Sequence, residues 1–302
     1  MSDLSRRRFL TIAAASAALP AMAATPTVAH WNGRAMGARV SMKLAGIDAT
    51  TAAQIFTAVE QELMRLEGIF SLYRTDSEVT RLNLNGALRN PSHELLQVLS
   101  LCDRLNRASN GAFDPTIQPL WLAVAQGHSA AAIEQARALV DWTALRFDAS
   151  EVRFDGAGRG LTLNGVAQGF VTDKIASLLK SHGLRDVLVD MGEIAALGHD
   201  TDGSNWSAGV EDTDGTVVHR LELSDRALAT SAPMGTRIGA DSGQGHIFAA
   251  SPTQAPLRRV VSVSASNAAL ADGLSTTLCM FAMEDARIMI ESFPGAQLEF
   301  SA

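Results

Sequence analysis

The 302-residue chain has only two cysteines, Cys102 and Cys279, and no Cys-x-x-Cys pair. That excludes a zinc ribbon and a redox dithiol. Aromatics are scarce at 5%, so Ala, Leu and Val must fill much of the interior. Basic residues are outnumbered, with 25 Lys and Arg against 32 Asp and Glu and a formal net charge of −7. Nothing here forms a basic nucleic-acid footprint. A phosphate ligand would need local backbone dipoles or a metal to hold it. The apolar run FLTIAAASAALPAMA (9–23) is too short and too rich in Ala to span a membrane. His-Glu-x-x-His and Gly-x-Ser-x-Gly are missing, which removes two common hydrolase signatures.

What is present begins with an address. SRRRFL (5–10) precedes the apolar run, which ends in the A-x-A site Ala21-Met22-Ala23. The paired arginines before Phe-Leu resemble a twin-arginine export signal; an ordinary secretory signal is the plainer alternative. Residues 1–23 are therefore expected to be a leader, 24–302 the functional domain, and the periplasm the location. Removing 1–23 takes away three arginines and one aspartate and brings the charge from −7 to −9. In an oxidising compartment the two cysteines could pair. Each lies in an apolar stretch (LLQVLSLCDRL and STTLCMFAM), so buried free thiols remain equally open.

Apolar spacing predicts helices. Ile55, Val59, Leu63, Leu66 and Phe70 share one face over 51–70, and Leu95, Leu99, Cys102 and Leu105 repeat the pattern over 92–107. Residues 130–140 read as a third helix. LRFDASEVRFD reads as a hairpin, followed by a glycine turn (GAGRG) between strands and by LTLN as a strand end. LNGVAQGFVTDKIA (163–176) then runs from glycine turn into a helix that stops at Gly183. The second half is strand-rich: DVLVDMG, NWSAGVED, VVHRLELS, RALATSA, GHIFAAS and RRVVSVSAS. Two helical stretches, SNAALADGLSTTLCMF and MEDARIMIESF, and a last strand, QLEFS, complete it. Helices and strands interleave only partly. That predicts an α+β fold of largely antiparallel sheet flanked by helices, as one large domain or two closely packed lobes.

Four stretches carry side chains suited to chemistry. Asp114 in Phe-Asp-Pro has its carboxylate direction fixed by the restricted backbone; capping a turn is the plainer role. The turn around Gly165 and Gly169 places helix-start N–H groups where an anion could sit, although glycines at such junctions often serve packing alone. In ALADGLSTTL, Asp272 and Thr276 stand four apart on one helical face with Ser275 beside them. One carboxylate, two hydroxyls and a nearby carbonyl make a hard oxygen set that suits Mg²⁺; helix-end stabilisation is the alternative. His246, after two glycines at the start of a predicted strand, could act as acid, base or phosphate ligand, or be an ordinary surface histidine.

The order of the motifs is more specific than any one of them. RAMGARVSM, EGIFSLYRTDSEVTRLN, GAFDPTIQPLW, LTLNGVAQGFVTDKIA, VLVDMGEIAALG, ALATSAP, GHIF and ADGLSTTL follow one another from about residue 30 to the C-terminus. This series resembles the ApbE family of FAD:protein FMN transferases. The leader and the Asn164 and Gln168 form of the glycine turn look most like its NosX branch, which serves nitrous oxide reductase maturation. The resemblance implies FAD in the cleft between the lobes, Mg²⁺ at the diphosphate, and transfer of FMN to a Ser or Thr hydroxyl as AMP leaves. The acceptor it implies is the periplasmic domain of a membrane-bound flavoprotein. Carried over, Met36, Tyr73, Ala112, Phe113, Asp114, Asn164, Phe170 and the Phe248 backbone would contact FAD. The Ala167 carbonyl, Asp272, Ser275 and Thr276 would surround the metal, and His246 would handle the proton. Several positions depart from the family pattern. Ala249 and Ala250 stand where Asp-Pro is usual and Thr253 where glycine is. Gln168 replaces a lysine or glutamate, and Met191 replaces a glycine. A non-catalytic FAD-binding maturation factor or carrier, and a FAD diphosphatase, are the alternative readings of the same site.

Overall fold

The computed structural model describes residues 10–11, 28–200, 202–239 and 243–302. The expected leader and the domain start at residue 24 lie outside the described residues, except for Leu10–Thr11, which pair antiparallel with Val210 and Gly209.

Helix α1 (Ala49–Phe70) begins where the Asp48 side chain accepts the Thr50 and Thr51 N–H groups. Its predicted stripe of Ile55, Val59, Leu63, Leu66 and Phe70 is buried throughout. Helices α2 (Glu78–Asn85), α3 (His93–Ala108), α4 (Gln118–Ala125) and α5 (Ala130–Arg137) follow. Ser77, Ser92 and Ser129 cap the first, second and last of these. A short antiparallel sheet, Ala87–Arg89 against Glu151–Phe154 against Leu145–Phe147, closes this lobe and includes the predicted hairpin. Helices α6 (Ala167–Ser181), α7 (Ala268–Leu278) and α8 (Met283–Glu291) belong to the other lobe.

That second lobe is built on a seven-stranded sheet of β1 (Val28–Ala35), β2 (Ala38–Ala45), β3 (Val187–Asp190), β4 (Ile194–Leu197), β5 (Arg226–Ser231), β6 (Val261–Ala265) and β7 (Gln297–Ser301). Its strands lie side by side in chain order, and every pairing is antiparallel. Helices α6 and α7 cover one face. Val187 and Val189 point into that helical core, whereas Leu188 joins Trp206, Ala208 and Leu223 on the opposite face. The strands Trp206–Glu211 and Val217–Leu223 supply that second covering layer. Burial on both faces is why β3 and β4 read as continuous apolar runs. The main core is continuous from Leu88 and Val152 of one lobe to Val261 and Leu274 of the other.

Two expected strands are absent among the described residues. Among the described residues Leu161–Leu163 pairs with no strand, so the glycine stretch before it is not a hairpin turn. Its polar groups are taken elsewhere: Asn83 exchanges two hydrogen bonds with the Leu161 backbone, and Thr162 donates to the Pro115 carbonyl. His246 does not open a strand either. It follows the two-residue strand Gln244–Gly245, and Ile247–Ala250 is irregular.

Candidate active site

A cavity of about 260 Å³ opens between the lobes. Two helices fix its floor through an exchange of carboxylates. Asp173 of α6 accepts the first N–H groups of α7, from Ala268 at 2.7 Å and Ala269 at 2.9 Å. Asp272 of α7 accepts the Gly169 N–H near the start of α6 at 3.1 Å. Each helix N-terminus, positive by its dipole, thus holds an acid from its neighbour. The anion on the glycine turn is, in part, the protein's own Asp272. Glycine is required at 169 because a Cβ there would lie 2.3 Å from the Ala268 carbonyl oxygen. Burial pushes Asp173 up to about 6.

Above this floor, Asp272 is 4% exposed and stands beside a chain of hydroxyls. Ser231 lies 2.8 Å from the Ser275 hydroxyl and 3.1 Å from the Thr276 hydroxyl. Ser275 donates to the Asp272 carbonyl. Asp272 and Thr276 line the cavity; Ser275 and Ala167 sit one residue back from lining Thr276 and Gln168. Among the described residues no three His, Cys, Asp or Glu side chains are grouped to hold a metal. A cation would therefore rest on one carboxylate with hydroxyl and carbonyl oxygens. That is a sparse, hard set of the kind Mg²⁺ accepts, completing its shell with water and phosphate. The donor set fits the ion.

The opposite wall comes from the helical lobe. Asp114 does both things proposed for it. Its Oδ1 accepts the Thr116 N–H at 2.8 Å and the Thr116 hydroxyl at 2.6 Å, and its Oδ2 accepts the Trp142 N–H, yet it faces the cavity. Burial raises its carboxyl above the ordinary range, against the pull of those hydrogen bonds. Ala112, Phe113, Asn164 and Phe248 also line the space. Tyr73 does too and is 71% exposed. Met36 and Phe170 do not reach the wall. Met36 sits in the β1–β2 turn at φ 50°, its N–H on Glu67, beside Gly37, which backs the Tyr73 ring. Phe170 meets Phe70 edge-on at 5.5 Å and lies under the Lys174 ammonium.

His246 is half-buried in the wall. Its Nδ1 lies 3.1 Å from the Pro233 carbonyl and 3.3 Å from that of Thr236. Carbonyls only accept, so Nδ1 carries the proton and Nε2 is the basic nitrogen of the neutral ring. The loop around His246 is tied to the helical lobe. Trp121 donates its indole N–H to the His246 carbonyl at 3.1 Å, and Arg137 donates to the Ala250 carbonyl.

Sequence reasoning assigned no role to several wall residues: Trp121, Gln168, Asp190, Glu193 and Ser231. Gln168 bonds the Met191 carbonyl at 2.7 Å and crosses so close over Gly192 that any side chain there would collide with it. Gly192, at φ 101°, needs glycine on both counts. Glu193 is raised well above the ordinary range by burial and by Asp272 and Asp190. The readable signal was two acids flanking a glycine at the end of the apolar strand in VLVDMGEI.

Residues 36–299 match the ApbE family. A FAD:protein FMN transferase of Vibrio cholerae is 27% identical over 283 residues, covering 87% of this chain and 84% of its own. One from Salmonella typhimurium is 23% identical over 288 residues, covering 88% and 82%. Among solved structures, the apo flavinyl transferase ApbE of Pseudomonas stutzeri is similar with a TM-score of 0.75 at 26% identity, over 88% of this chain and 89% of that one. The flavin transferase ApbE of V. cholerae gives 0.77 at 24% identity, over 92% and 97%, a likeness of fold.

Proposed function

The chain belongs to the ApbE family, and from that membership we propose that it is a FAD:protein FMN transferase acting on a Ser or Thr hydroxyl of a partner protein. One observation carries the reading: Asp272, Thr276, His246, Asp114 and Tyr73, from four separate stretches of sequence, line a single cavity. A Mg²⁺ ion held by Asp272, Thr276 and the Ala167 carbonyl, with Ser275 behind them, would neutralise diphosphate charge.

The protein's own groups do the rest. Tyr73 and Phe113 offer ring faces to the flavin, worth about 1 kcal/mol each beyond burial. The acceptor hydroxyl oxygen attacks the flavin-side phosphorus, the bond to the bridging oxygen breaks, and AMP leaves with that oxygen. The hydroxyl proton passes to His246 Nε2, whose orientation is set by the Pro233 and Thr236 carbonyls. A base so placed contributes roughly 10²–10⁴ in rate. The twin-arginine-like leader and the Asn164 and Gln168 turn support periplasmic action on the periplasmic domain of a membrane-bound flavoprotein, in nitrous oxide reductase maturation.

The test is to mix FAD, Mg²⁺ and such a domain, then denature. A flavin-fluorescent acceptor band with matching AMP release, both lost in Asp272→Ala, is expected. Ala249 and Ala250, in place of the family's Asp-Pro, favour one rival, a FAD carrier; it would bind FAD and release no AMP. Free FMN with no labelled acceptor would make the protein a diphosphatase.

A further inference from the structure

The turn between β3 and β4 presents one carboxyl oxygen that no neighbour explains. Glu193 is 8% exposed and lines the cavity. One of its oxygens is held by the Thr230 backbone N–H. The other, Oε2, is buried and has no hydrogen-bond partner among the described residues. A buried carboxyl oxygen left unsatisfied is costly and rare, and asks for a ligand. The turn is also built to hold the group still. Asp190 accepts the Gly192 N–H at 3.0 Å, Met191 N–H bonds the Glu193 carbonyl at 3.0 Å, and Gln168 clamps the Met191 carbonyl.

Its position narrows what it meets. Thr230, which holds Glu193, adjoins Ser231, whose hydroxyl reaches Thr276 at the cation end of the cavity. Glu193, which also feels the charge of Asp272, therefore sits next to where the diphosphate would be gripped. In FAD, the segment joined to the diphosphate on the flavin side is the ribityl chain, with three hydroxyls. A hydroxyl both donates and accepts, so it satisfies Glu193 whether or not the carboxyl carries a proton; the ring imide N–H only donates. Resting on the function proposed above, we infer that Glu193 Oε2 binds a ribityl hydroxyl and so selects for the polyol linker of the flavin.

The test compares FAD with an analogue whose three ribityl hydroxyls are replaced by hydrogens, by titration with Mg²⁺ present. Wild-type protein is expected to bind FAD about 10- to 100-fold tighter than the analogue, the range of one charge-assisted hydrogen bond. Glu193→Leu should bind both alike, at the analogue's wild-type affinity. Glu193→Gln, which keeps the shape and can donate to a hydroxyl, should retain most of the preference. Two results overturn the inference: wild type binding both ligands equally, or folded Glu193→Leu keeping the full preference. The wild-type comparison stands even where Glu193→Leu does not fold. Wild type that binds no FAD at all would refute the transferase reading instead.

Discussion

Replacing Gly169 with alanine tests the joint between α6 and α7. The added Cβ would lie 2.3 Å from the Ala268 oxygen, 2.5 Å from its carbonyl carbon and 2.7 Å from the Ala269 nitrogen. All three are backbone atoms, so no side chain can swing aside. Restoring ordinary contact means parting the helices by about 1 Å. That lengthens the Gly169-to-Asp272 bond beyond hydrogen-bond range from its 3.1 Å and strains both Asp173 caps. Overpacking costs about 1–3 kcal/mol and loss of a hydrogen bond to a carboxylate about 1.5–3. Alanine's better helix propensity returns about 1, for a net loss of roughly 1.5–5 kcal/mol. Because Asp272 moves with the joint, AMP release should fall on the order of 10²-fold. Urea unfolding and chromatographic AMP release measure the two effects. Gly68→Ala in α1 is the control. Nothing lies within 4 Å of its added Cβ, so it should gain about 0.5–1 kcal/mol. A Gly169→Ala protein with the wild-type unfolding midpoint and the wild-type rate would refute this account of the joint.

Three further outcomes follow from the same structure. Asp173 is held near 6 against 3.8 for the free side chain, so between those values the folded protein binds the extra proton and stability falls as pH rises. The loss totals about 3 kcal/mol by pH 7, and Asp173→Asn should flatten that difference in urea midpoints measured from pH 4 to 7. Tyr73→Ala should leave the unfolding midpoint within about 0.5 kcal/mol, since the ring is exposed, yet weaken FAD binding about 2- to 13-fold by fluorescence titration. Cys102 and Cys279 are both free and buried, with their thiols pushed up by burial; a thiol reagent should find two reactive groups after denaturation and none before.

Where one element's own spacing determines its place, the sequence was a reliable guide. The α1 stripe, the hairpin at 145–154 and the stop at Gly183 needed only local pattern and chemistry. Alternation misled at Leu161–Leu163, because burial alternates in any extended segment; whether a strand forms depends on partners such as Asn83, far along the chain. The site divides in the same way. Asp272 and Thr276 were legible as one helical face. The contact of Ser231 with Thr276, the Trp121 bond to the His246 carbonyl and the unpartnered oxygen of Glu193 come from residues brought together only by the fold.

The central claim is that oxygen donors around Asp272 grip the FAD diphosphate through a divalent cation. The most direct measurement is FAD affinity by calorimetry, with Mg²⁺ and with chelator, for wild type and Asp272→Ala. Strong binding that needs Mg²⁺ in wild type, and a Mg²⁺-independent, weakened interaction in Asp272→Ala, is the expected result. Equal FAD affinity in all four conditions would contradict it.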